Sequence, residues 1–157
     1  MKNQEVNPFR TILGSGKRIG IIIGIWILTV AVHIFRVGSY LEGKWFNLYY
    51  SYFSDFLLPF TFYFFICVSE IQLPFLRHWA VKTAIVFVVP AIAETAQYFG
   101  IYAFGVTYDP LDFMAYAVGA LAAAVVDVWV FSKVFPFWTK HKSGKKVVEM
   151  MNSLPHN

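Results

Sequence analysis

The stretch Ile19-Gly-Ile-Ile-Ile-Gly-Ile-Trp-Ile-Leu-Thr-Val-Ala-Val-His-Ile-Phe35 decides the fold class. It carries no charge, and His33 is its one titratable group. Three further runs resemble it. Tyr52–Ile71 holds Asp55 and Pro59, Trp79–Ile101 holds Lys82, Pro90 and Glu94, and Pro110–Phe135 holds Asp112, Asp127 and Lys133. Each run is close to the roughly 20 apolar residues that a helix needs to cross a bilayer. None alternates with period two, which sets strands aside. The reading is an all-α membrane protein, a bundle of four transmembrane helices at about 19–35, 52–71, 79–101 and 110–135.

Composition agrees. Hydrophobic residues make up 58% of the chain and charged residues only 14%, against about 25% charged in an ordinary soluble domain. The 157 residues divide into a polar cytoplasmic segment 1–18, a transmembrane domain 19–135 and a basic cytoplasmic tail 136–157. With the N-terminus inside, only Arg36 and Lys44 of the 13 Lys and Arg residues fall on the outer side. The positive-inside rule therefore predicts that both termini are cytoplasmic. The net charge of +4 suits an anionic inner leaflet, and no nucleic-acid motif is present. The first run is too long for a signal-peptide core, and no A-x-A site follows it, so it is read as a retained helix. Cys67 is the single cysteine, which excludes an intramolecular disulfide.

Aromatic residues crowd the first outer loop, 36–51, as they do at a membrane–water interface. Gly16, Gly20 and Gly24, and likewise Ala115, Gly119 and Ala123, recur every four residues. Small residues at that spacing let helices approach closely in lipid, either within the bundle or in a homo-oligomer.

Depth places the polar residues. Alternating helix directions bring His33 and Arg36, Asp55, Glu94 and Gln97, and Asp109 and Asp112 to the outer ends of the four helices. Asp127 falls toward the inner side, where a basic partner is expected. Each outer group also has a structural reading. Asp109-Pro110-Leu-Asp112 fits a helix start, with Asp109 as the cap and Pro110 at the first helical position. Asp55 after Ser54 fits a helix start as well, His33 a packed interfacial histidine, and Arg36 an anchor or a counter-ion. Glu94 is harder to explain by structure alone. It lies about seven residues, or roughly 10 Å, inside the outer boundary, near a helix C-terminus that disfavours an anion. Gln97 shares its face, and intramembrane ionisable residues are functional by default.

Three functions compete for this constellation. In the first, Glu94, Gln97, Asp109 and Asp112, supported by Asp55 and Arg36, bind a ligand at the outer leaflet. Glu94, Asp109 and Asp112 supply the hard oxygen donors that hold Mg²⁺ or Ca²⁺, and without a metal the carboxylates would bind an amine. In the second, the carboxylates couple a small transporter to protons or cations. In the third, the protein is a non-catalytic scaffold. The P-loop, GxSxG, HExxH and CxxC motifs of soluble enzymes are absent.

Glu94-x-x-Gln97, followed by Asp109-x-x-Asp112 and Gly119 near the end of a four-helix layout, resembles the signature half of the VanZ-like family of small bacterial membrane proteins. That family takes its name from a protein associated with glycopeptide resistance. Val106 and Tyr116 stand where the family often has Arg and Asn, so the chain looks like a divergent relative. The resemblance implies a multi-pass protein of the bacterial cytoplasmic (inner) membrane, in contact with membrane lipid. It also implies a cell-envelope role, with a lipid-linked precursor as a candidate partner, and no particular reaction.

Overall fold

The computed structural model describes residues 8–70, 72–101 and 108–138, with side chains from Gly16 onward. The expectations for Val106, Thr107 and the tail beyond Trp138 lie outside the described residues. Among the described residues every regular element is helical. Four helices are long and apolar enough to cross a membrane: α1 (Pro8–Ile34), α2 (Lys44–Ser69), α3 (Trp79–Tyr98) and α4 (Asp112–Val134).

The boundaries move for local reasons. α1 is already helical at Pro8, the first described residue, inside the segment expected to be polar. Arg36 ends that region in the left-handed conformation, at φ 47°. α2 begins at Lys44, inside the expected outer loop, after Gly43 at φ 58°. Glycine adopts such a backbone without a Cβ penalty. Asp55 is therefore in the interior of a continuous helix, and the helix-start reading of it does not hold. α3 stops at Tyr98, short of Ile101, because Gly100 at φ 78° reverses the chain. The Ile101 N–H bonds the Ala96 carbonyl and the Gly100 N–H bonds the Gln97 carbonyl, both at 2.9 Å, a Schellman closure.

The helices run up, down, up, down. The Thr29 and Thr61 hydroxyls share a hydrogen bond of 3.0 Å between antiparallel α1 and α2. α2 and α4 run parallel and share the most extensive interface. Gly119 permits it, since a Cβ there would strike the backbone carbonyl of Phe56 and crowd the Pro59 ring. The other glycine series behaves differently. Nothing lies within 4 Å of the Cβ positions at Gly16, Gly20 and Gly24, so among the described residues that stripe is not used for packing inside the bundle.

Tyr63, Phe64, Val86, Ala120 and Ala123 form the centre of the core. Ile27, Leu28, Ile34 and Ile92 point outward, each more than 60% exposed. Such a surface suits lipid, where apolar side chains meet chains as apolar as themselves.

Two short stretches widen to π-helix, Tyr49–Phe53 in α2 and Val126–Phe131 in α4. A π turn shifts the helical register by one residue and often marks a functional position. One contains Tyr52 and the other Asp127, and these two residues belong to the two polar clusters of the molecule, one at each end of the bundle.

Candidate functional site

The first cluster lies where α2 and α4 begin and α3 ends. Glu94 is buried at 3% exposure, and its Oε1 accepts the Asp109 N–H at 2.8 Å. Asp109 Oδ1 accepts the Leu111 N–H at 2.9 Å, a turn that leads into α4. The helix itself starts at Asp112 with Leu111 at the cap position, so the reading of Asp109 as cap and Pro110 as first helical residue does not hold. The other Asp109 carboxylate oxygen accepts the Tyr52 hydroxyl at 3.4 Å. Asp55 accepts the Tyr116 hydroxyl at 3.5 Å. Asp55 interacts electrostatically with Glu94 and Asp109, and Asp112 with all three other carboxylates. Four acids from α2, α3 and the approach to α4 thus lie close enough to interact at one end of the bundle.

The other expected members divide. Gln97 is 8% exposed, sits one turn beyond Glu94, and has a buried Oε1 with no hydrogen-bond partner among the described residues. Arg36 is exposed and belongs to none of the ion pairs among the described residues, so it does not neutralise the acids. His33 is exposed, with its ring nitrogens hydrogen-bonded to the Thr29 carbonyl at 3.0 Å and the Ser54 hydroxyl at 3.4 Å, so it is not packed in the bundle. Gly119 is a packing residue. Tyr52 carries no sequence signal, and Tyr116 enters the sequence reading only as a departure from the resembled family; both hydroxyls bond carboxylates of this cluster.

Beside the carboxylates an open groove of about 520 Å³ runs between α2 and α4. Trp45, Tyr52, Phe56, Leu111, Met114 and Val118 are among its walls. Tyr52 belongs to both features, with its ring in the groove and its hydroxyl on Asp109. Leu111 does the same through its backbone N–H.

The second cluster occupies the opposite end, and all four helices contribute to it. Lys82 of α3 is fully buried. Its ammonium donates to Glu70 at the end of α2, to Asp127 Oδ2 of α4 at 2.6 Å and to Cys67 Sγ at 3.3 Å. Arg18 of α1 pairs with the second Glu70 oxygen at 2.7 Å. Tyr63 donates to Asp127 at 2.9 Å, and the Trp138 indole donates to its other oxygen at 2.6 Å. Trp138 also stacks under the Arg18 guanidinium, 4.8 Å from it. The partner expected for Asp127 is therefore Lys82. The rest of the assembly was missed, although the same depth argument applied to Arg18, Glu70, Lys82 and Asp127 would have found it.

Metal geometry separates the two ends. Among the described residues, the group whose ligand atoms come within 4.8 Å of one another is Cys67, Glu70 and Asp127. The Lys82 ammonium bonds all three and so fills the position that a cation would take. Glu94, Asp109 and Asp112 do not converge to that spacing. Comparison with protein-family models, with curated proteins and with solved structures returns no match.

Proposed function

We propose that this chain is a multi-pass protein of a bacterial cytoplasmic membrane, with both termini inside, and that its acidic end faces outward and binds a cationic group of an envelope ligand. One observation carries the reading. Glu94 holds the Asp109 N–H, and Tyr52 and Tyr116 tie Asp109 and Asp55 to the same end of the bundle beside Asp112, while the three ion pairs among the described residues all lie at the other end. Like charges held together in a low-dielectric setting attract an external cation strongly. The distribution of Lys and Arg supports the orientation. The VanZ-like pattern of Glu94, Gln97, Asp109, Asp112 and Gly119 supports an envelope role.

An organic ammonium is the ligand proposed here rather than Mg²⁺ or Ca²⁺, because among the described residues these acids are not a group with converging ligand atoms. Coupled transport has less support, since the opposite polar cluster is already satisfied by its own cations. Thermal unfolding in lipid nanodiscs tests the reading, because a ligand that binds the folded state raises its apparent stability. Titration with butylamine is expected to raise the melting temperature saturably, and Glu94→Gln and Asp112→Asn to abolish the rise. A saturable response to Mg²⁺ or Ca²⁺ alone, lost in both variants, would make the site a metal centre instead. No response to either class would leave the carboxylates a structural role.

A further inference from the structure

Resting on that cationic-site reading, we infer that the ligand is a cationic amphiphile, an amine carried on one long aliphatic chain, with the chain in the groove between α2 and α4 and the amine among the carboxylates. Three observations meet here. The groove has apolar walls and a volume of about 520 Å³, within the range of roughly 300–1,000 Å³ typical of small-molecule sites. Its polar margin is acidic: Tyr52 and Leu111 line it and both hydrogen-bond Asp109. Next to Glu94, the buried Gln97 Oε1 lacks a partner among the described residues, and a carbonyl oxygen there is a ready acceptor for an ammonium N–H.

Charge chooses the occupant. A fatty acid or an anionic lipid would set its head group against four carboxylates, and a neutral alcohol would leave the field uncompensated. An amine answers it and supplies donors for acceptor oxygens. The lipid-like chain follows from the exposure of the walls, since Trp45, Leu111, Met114 and Val118 are each at least half exposed on a face suited to lipid. Lipid tails are as apolar as this groove, so chain burial brings no hydrophobic gain. Selectivity comes from packing against the aromatic wall and from the fixed position of the head group.

The test uses the full chain in phosphatidylcholine nanodiscs, with butylamine, octylamine and dodecylamine as probes and dodecanol as the neutral control. Apparent affinity is read from thermal shifts for wild type, Ala115→Trp and Val118→Phe. The two substitutions fill the groove at different wall positions, so one remains informative if the other fails to fold. All amines partition into the disc more strongly as they lengthen, and the comparison with the filled variants cancels that effect. Dodecylamine is expected to bind wild type about tenfold more tightly than either variant, butylamine to bind all three alike, and dodecanol not to compete. If chain length acts equally on wild type and filled variants while Glu94→Gln still abolishes amine binding, the groove inference is overturned and the cationic site stands. If no amine binds, the underlying reading fails with it. A dimer that Ala115→Trp breaks, with amine binding unchanged, would assign the groove to a second copy of the chain and also overturn the inference.

Discussion

The two ends of the bundle handle buried charge in opposite ways. At one end Arg18 and Lys82 face Glu70 and Asp127, two cations against two anions, enclosed beneath Trp138 and joined by hydrogen bonds from Tyr63 and Trp138 and to Cys67. At the other end four carboxylates share a half-open space, and among the described residues the groups that answer them include two tyrosine hydroxyls and two backbone N–H groups. A neutral, closed network fixes helix positions. An acidic, open one keeps unused capacity for a cation. Burying charge is costly in either case, and only the first end recovers that cost from within the chain. This asymmetry is the physical ground for assigning structure to one end and binding to the other.

The largest effect should come from breaking the neutral end. Lys82→Met leaves Glu70 and Asp127 facing each other without their shared cation, and removal of one partner from a buried pair costs about 3–5 kcal/mol. Denaturation in nanodiscs should show that loss. The double change Lys82→Met with Asp127→Asn restores neutrality and should recover part of it. Next in size, Gly119→Ala forces α2 and α4 apart at Phe56, for a loss of about 1–3 kcal/mol. Because this contact lies close to the acidic end, amine binding should weaken along with stability, which distinguishes it from Lys82→Met. Tyr52→Phe removes one hydroxyl from Asp109, a loss of about 0.5–1.5 kcal/mol. The field at that end becomes less compensated, so amine affinity should hold or rise. The smallest effect belongs to Gly20→Leu, at a position where a Cβ meets nothing within 4 Å. Monomer stability should stay within about 0.5 kcal/mol of wild type, and a change in self-association by native mass spectrometry would show that the α1 glycine stripe serves a homo-oligomer.

Run length and lack of charge made the helices legible, and alternating helix direction made the acidic end legible, because depth along a membrane helix follows from residue count alone. Rotation around the helix does not. Hence the sequence could place Asp55 at the correct end without showing that it sits inside a helix and meets Tyr116. The π turns that carry Tyr52 and Asp127 leave no sequence mark, since they arise from packing between helices. The boundaries at Lys44 and Tyr98 depend on Gly43 and Gly100 in left-handed backbone, and a glycine in sequence does not announce its φ. The ion-paired end was readable in principle: each expected span carries at least one charge toward that end or just before it. Attention to the unpaired acids hid the paired ones.

The central claim is that the acidic end is dispensable for the fold and necessary for binding. It is tested most directly by the stability of the double variant Glu94→Gln with Asp112→Asn, measured beside Lys82→Met in the same nanodiscs. The account predicts that the double variant keeps wild-type stability or gains a little, because two like charges are removed, while Lys82→Met unfolds far more readily. A double variant as unstable as Lys82→Met would contradict it, and would make the carboxylates part of the scaffold.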